Sequence, residues 1–195
     1  MKFFVTGVNG QLGHDVMNEL NKRGHQGVGS DMADTYAGVA DGSAVTRMDY
    51  VKLDITDKDA VSKVIEAVKP DAVIHCAAWT AVDMAEDDDK VEAVRKVNAG
   101  GTQNIADTCK KLNCKMLYLS TDYVFDGQGT EPWQPDCKDY KPLNVYGQMN
   151  ILVTGNLDSG ILETDIPEEG NSLIGLFTTY QVVRYCQAQS RFAVL

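Results

Sequence analysis

The chain has 195 residues and a formal net charge of -10, with 28 Asp and Glu against 18 Lys and Arg. That length suits one domain with a proper core, and the acidic balance argues against a nucleic-acid binder, which needs clustered Lys and Arg. The apolar run Met1–Val5 is too short for a signal-peptide core, and no stretch reaches the length of a membrane span. The 5 cysteines include no Cys-x-x-Cys pair, which points to reduced thiols in a cytoplasm rather than to a disulfide framework or a zinc site.

Along the chain, Lys2 to Thr6 is a short apolar run stopped by glycine and reads as a buried strand. Gln11 to Arg23 sets Leu12, Val16 and Leu20 on one helical face, with Gly24 where the helix stops. Gln26 to Ser30 is a second strand ending at Asp31, and residues 32–48 show no period and are expected as a loop. Val51 to Leu53 is a third strand, followed by a helix capped by Asp57, running to Val68 and closed by Pro70. Ala72 to His75 is a fourth strand. Val91, Val94, Val97, Ile105 and Leu112 then trace a long helix in which Gly100-Gly101 is a weak point or a close-packing site. Met116 to Leu119 is the fifth strand. This alternation predicts right-handed crossovers and an α/β architecture with a parallel, doubly wound sheet, whose ligands lie at the carboxyl ends of the strands.

The segment Gly7-Val8-Asn9-Gly10-Gln11-Leu12-Gly13 follows a strand and opens a helix. Gly7 permits a tight turn, Gly10 lets backbone approach a pyrophosphate, and Gly13 allows close helix–strand packing, while the amides at the helix start face the phosphates. In that context the glycines predict a Rossmann-type domain that binds a nicotinamide dinucleotide. Asp31 stands where a carboxylate accepts hydrogen bonds from the adenosine ribose and repels a 2′-phosphate, which favours NADH over NADPH. Asp54 and Ile55, after the third strand, either flank the adenine or, in the case of Asp54, cap a helix.

Three further segments carry a family resemblance. Cys76-Ala77-Ala78-Trp79-Thr80-Ala81-Val82-Asp83-Met84-Ala85-Glu86, Leu119-Ser120-Thr121-Asp122-Tyr123-Val124-Phe125-Asp126-Gly127 and Pro142-Leu143-Asn144-Val145-Tyr146-Gly147 resemble the hallmarks of dTDP-4-dehydrorhamnose reductases, in the extended short-chain dehydrogenase/reductase group. The resemblance covers residues 1–147. It implies reduction of the 4-keto group of a dTDP-6-deoxy-hexulose on the way to dTDP-rhamnose, with NADH or NADPH as cofactor. It implies catalytic roles for Tyr146 as proton donor and Thr121 as the hydroxyl that polarises the carbonyl. Ala77, Ala78 and Thr80 would line the nicotinamide side of the groove, and Asn98 would anchor a nearby loop. The expected partner is a dTDP-sugar, with a homodimer as the compatible assembly. Some members bind magnesium, but no ligand set here indicates it, and the acidic run Asp83, Glu86, Asp87, Asp88 and Asp89 reads as a solvated helix start.

Two departures stand out. The family's tyrosine is followed four residues later by a lysine that binds the nicotinamide ribose and stabilises the phenolate; here that position is Asn150. Moving a tyrosine from about 10 to near neutrality takes roughly 4 kcal/mol, which a neutral amide does not supply. Without that cation, Tyr146 is expected to stay protonated and to donate poorly. After Gly147 the composition also changes: of the 18 Lys and Arg only Arg184 and Arg191 remain, with no lysine. Residues 148–195 show no clean helical period, and Met149 to Gly155 echoes Met1 to Gly7 as a chance match or an unrelated strand. The expectation is a Rossmann-type domain at 1–147 and a divergent, atypical tail at 148–195 without the family's substrate lobe, most simply a truncated or shifted reading frame. Three readings follow: a reductase with impaired turnover, a non-catalytic dinucleotide-binding module resembling the regulatory subunit of methionine adenosyltransferase, and a non-functional fragment.

Overall fold

The computed structural model describes residues 1–128 and 137–157, with side chains as far as 152. The part of the expected tail beyond residue 157 lies outside the described residues. Two units are distinguished: Met1–Trp79 with Lys96–Tyr118, and Thr80–Arg95 with the chain from Leu119 onward.

The first unit is built on five strands, β1 (Lys2–Thr6), β2 (Gln26–Asp31), β3 (Asp49–Lys52), β4 (Ala72–His75) and β5 (Lys115–Tyr118). They pair in parallel throughout, in the order β3-β2-β1-β4-β5. The order reverses beside β1, so the loop leaving β1 opens at the switch point where α/β sheets of this type hold ligands. Helices α1 (Gln11–Lys22), α2 (Lys58–Val68) and α4 (Thr102–Leu112) flank the sheet connections, with a 3-10 turn at Ala44–Arg47 inside the expected loop. Strand β1 is buried on both faces, as central parallel strands are: Phe3, Phe4 and Val5 are all at most 1% exposed. Phe4, Val28, Leu53, Ile55, Val61, Ile65, Val73, Ile105 and Cys109 make one core cluster.

Local chemistry explains the boundaries. Asp57 caps α2 by accepting from the Asp59 and Ala60 amides, and Lys69 leaves the helix with φ 50°. Gly24 follows α1 with φ +74°. The Gly100-Gly101 step of the predicted long helix is realised in two ways at once. Residues Arg95–Gly101 are π-helical, and a Cβ on Gly101 would lie 2.6 Å from Ile55 Cδ1, so the glycine is also a close-packing site.

The second unit contains the short helix α3 (Val91–Val94), 3-10 turns at Asp83–Glu86 and Asp122–Val124, and helix α5 (Val145–Leu157). Helix α5 corrects the sequence-based expectation for its region: Met149 to Gly155 is not an unrelated strand but lies within this helix. The helical period was invisible because apolar residues such as Tyr146, Met149, Ile151 and Leu152 surround the axis and leave no single stripe.

Candidate cofactor and active site

The glycine loop divides by what each position requires. Gly7 has φ +72°, and a Cβ there would meet Ala77 N at 2.6 Å; one on Gly13 would meet Gly7 O at 2.3 Å. The fold itself demands both glycines. Gly10 differs: it is exposed, and the nearest atom to a Cβ would be Gly7 O at 3.4 Å, an ordinary contact. Among the described residues no atom crowds a side chain there, and the space glycine leaves lies at the start of α1, where no side chain caps the helix. The amides of Gln11 and Leu12 belong to that first turn, which suits a phosphate. The donor set and the open cradle fit a dinucleotide pyrophosphate.

Asp31 stands at the end of β2 with both carboxylate oxygens engaged. Oδ2 accepts from the Asn9 amide at 3.0 Å and Oδ1 from the Met32 amide at 2.8 Å. Asn9 in turn accepts from the Ala37 amide at 2.9 Å, so the loop after β2 is tied to the glycine loop. Asp54 is exposed and holds Thr56 through both its amide and its hydroxyl, forming a turn rather than the helix cap, which is Asp57. Ile55 is a core side chain, 7% exposed.

After β4, the amides of Cys76 and Ala77 both donate to Thr6 Oγ1 at 3.2 Å. Asn98, buried, grips the next part of that loop from both sides: its Oδ1 accepts from the Trp79 amide at 2.7 Å and its Nδ2 donates to the Trp79 carbonyl at 3.0 Å. Ala78 is exposed. Burial pushes the Cys76 thiol up to about 12, so it is a packing residue rather than a nucleophile.

Within the second unit, Thr121 and Tyr146 belong to segments that pack together. Thr121 opens the Asp122–Val124 turn, its Oγ1 accepting from the Tyr123 amide at 3.2 Å and donating to Asp122 at 3.3 Å. The Tyr123 ring meets Tyr146 edge-on at 5.8 Å. A Cβ on Gly147 would lie 2.2 Å from Tyr123 O, so this glycine is what lets the Thr121 segment lie against the start of α5. Asn144 caps that helix by accepting from the Gly147 amide at 2.7 Å. Thr80 is exposed, also in this unit.

Glu86 is the positioning residue that the sequence reading missed. Its Oε1 accepts from the Val145 amide at 2.7 Å, anchoring the helix that carries Tyr146. In sequence it sits in an acidic run whose default is solvent, and only its place at the end of the Trp79–Glu86 motif set it apart. At the position of the family lysine, Asn150 is buried and its Nδ2 donates to the Tyr146 carbonyl at 2.8 Å.

The sequence matches the family described as the RmlD substrate binding domain over residues 1–155, through Asn150 and beyond. A dTDP-4-dehydrorhamnose reductase of Streptomyces griseus is 36% identical over 146 residues, covering 75% of this chain and 41% of that protein. The methionine adenosyltransferase 2 subunit beta of Rattus norvegicus is 26% identical over 170 residues, covering 85% of this chain and 46% of that one. Among solved structures, a dTDP-4-dehydrorhamnose reductase of Bacillus anthracis in complex with NADP superposes with a TM-score of 0.62 at 29% identity, covering 80% of this chain and 49% of that one. The chain therefore spans less than half the length of each of these proteins. By sequence motifs, by the match over residues 1–155 and by its parallel five-stranded fold, it belongs to the dTDP-4-dehydrorhamnose reductase family.

Proposed function

We propose that this chain carries the cofactor-binding half of a nicotinamide-dependent reductase acting on the 4-keto group of a dTDP-6-deoxy-hexulose, and that its own turnover is impaired. The observation that carries the reading is the division of the glycines: Gly7 and Gly13 are demanded by packing, whereas Gly10 meets no packing limit and leaves the first turn of α1 open to a ligand.

In this reading the amides of Gln11 and Leu12 face the pyrophosphate, and Asp31 accepts from the adenosine ribose, with Asn9 holding its carboxylate in place. The resemblance assigns Ala77, Ala78 and Thr80 to the nicotinamide side, and Asn98 fixes the Trp79 backbone in that loop. When bound, the reduced nicotinamide supplies a hydride. Tyr146 gives its phenolic proton to the carbonyl oxygen as negative charge grows there, and Thr121 turns its hydroxyl from Asp122 to donate to the same oxygen. Asn150 offers a neutral amide where a cation would hold the phenolate, so proton donation leaves a costly anion.

A second reading, a dinucleotide-binding module without turnover, draws on the same residue, since the Asn150 amide is committed to the Tyr146 carbonyl. Titration with NADH and NADPH, followed by steady-state NADH consumption with dTDP-4-dehydro-6-deoxy-L-mannose, tests both. Binding with slow turnover fits the impaired reductase, binding with none fits the module, and absence of binding overturns both.

A further inference from the structure

His75, at the end of β4, is buried and takes no part in the proposed chemistry, yet it joins two loops of the first unit. Parallel register sets it beside Thr6, the last residue of β1 before the glycine loop. Its Nδ1 lies 2.7 Å from Thr6 Oγ1, and its Nε2 lies 2.9 Å from Thr102 Oγ1 on α4.

The proton positions follow from what the ends of this chain can accept. Thr102 donates its only hydroxyl proton to the Asn98 carbonyl at 2.7 Å, so its oxygen must accept from His75, and Nε2 carries the hydrogen. The other end gives the same answer independently. Thr6 Oγ1 already accepts from the Cys76 and Ala77 amides, so its free role is to donate, and Nδ1 must be the acceptor. A hydrogen on Nδ1, in the other tautomer or in the cation, would face an oxygen with no lone pair left for it.

We infer that His75 is a positioning residue for the dinucleotide: as the neutral Nε2–H tautomer it locks β1, which feeds the glycine loop, to the Cys76–Trp79 loop and to α4. The inference rests on the dinucleotide reading above. The line Thr6–His75–Thr102–Asn98 ends where Asn98 clamps the Trp79 backbone, so the loop expected beside the nicotinamide is held at both ends by one network. Burial holds the imidazole well below its usual range, at about 4, which keeps it neutral across the physiological span. The Tyr118 ring stacks on it at 6.1 Å, so an aromatic replacement preserves the packing.

The network ties down the nicotinamide-side loop, so its loss should separate two ligands that a general loosening of the fold would weaken together. The test titrates NADH, and ADP as the fragment lacking nicotinamide, against the wild type, His75→Phe, Thr6→Val and Thr6→Ser. NADH affinity should fall about tenfold in His75→Phe and Thr6→Val with ADP affinity nearly unchanged, and Thr6→Ser, which keeps the hydroxyl, should behave as wild type. Equal losses of both ligands, or undiminished NADH binding in both variants, would overturn the inference. Nitrogen-15 spectra of the wild type read the tautomer without any variant: Nε2–H at neutral pH is expected, and Nδ1–H or a mixture would defeat the argument even if the variants failed to fold. A wild type that binds neither ligand, or binds both equally, overturns the dinucleotide reading and this inference with it. A His75→Phe protein that discriminates between the two ligands as strongly as the wild type overturns the inference alone.

Discussion

The side-chain amide of Asn150 donates to the carbonyl oxygen of Tyr146 at 2.8 Å, one turn back along α5. This is a local bond, of the kind that asparagine makes with its own backbone. It places a neutral, buried group at the position from which the family's lysine would act.

Negligible reduction of dTDP-4-dehydro-6-deoxy-L-mannose is the first expected outcome, since nothing at position 150 offsets a phenolate charge. Asn150→Lys alone should recover little. The position is 4% exposed, so an ammonium there meets a desolvation penalty as well as the loss of the Tyr146 bond. Steady-state NADH consumption decides; robust activity from the unaltered chain would show that the cation is dispensable here.

The glycine loop predicts opposite consequences for neighbouring substitutions. Gly10→Val should abolish NADH binding while lowering the melting point only by the modest cost of a poorer helix cap, because the side chain enters open space rather than protein. Gly13→Ala should instead destabilise, since its Cβ would sit 2.3 Å from Gly7 O. Fluorescence titration and thermal melts on both variants separate binding from folding. A Gly10→Val protein that binds NADH normally would remove the assignment.

Asp31 should set cofactor preference. Its carboxylate is fixed by the Asn9 and Met32 amides, and a 2′-phosphate arriving there meets like charge, a cost of about 1 kcal/mol near a solvated surface. NADH should therefore bind at least as tightly as NADPH, and Asp31→Asn, which keeps an acceptor oxygen, should narrow the ratio of dissociation constants about fivefold. A wild-type preference for NADPH contradicts this.

Removing the Glu86 acceptor should loosen the start of α5. Glu86→Ala is expected to cost about 1 kcal/mol, as lost helix caps do, whereas Glu86→Gln should cost much less because its amide oxygen still accepts from Val145. Hydrogen exchange at the Val145 amide reports this directly. Equal exchange in wild type and Glu86→Ala would mean that the carboxylate does not hold the helix in solution.

Much of the first unit was legible because parallel α/β order writes itself locally. Gly7 to Gly13, the Asp57 cap and the apolar strands each announce an element from its own residues. The site's supports were not legible, because they join residues far apart in sequence. Glu86 reaches Val145 across 59 positions, and Thr6 reaches His75 across 69. Hydrophobic period says nothing about such pairs, and an acidic residue among other acids reads as solvent-facing. Helix α5 was hidden for the opposite reason. Its apolar residues are spread around the axis, so no stripe marked it.

His75 should make the protein acid-sensitive in a defined window. In the unfolded chain its imidazole returns to the ordinary value of 6.5, whereas burial holds it at about 4 in the native protein. Between those values the unfolded chain binds a proton that the native protein does not, so stability falls as pH drops from about 6.5 towards about 4. The full loss is about 3 kcal/mol, reached once pH lies below the native value. His25 is also lowered by partial burial and acts in the same direction. The carboxylates of Glu19 and Glu66 are held low by Arg23 and Lys111, so they lose stability only below the ordinary carboxylate range and leave the upper part of the window to histidine. Urea unfolding at about pH 7 and about pH 4.5 measures the effect, with His75→Phe as the control that cannot take up the proton. The wild type should lose stability steeply over that interval and the variant much less; identical slopes would show that His75 is not the group that titrates.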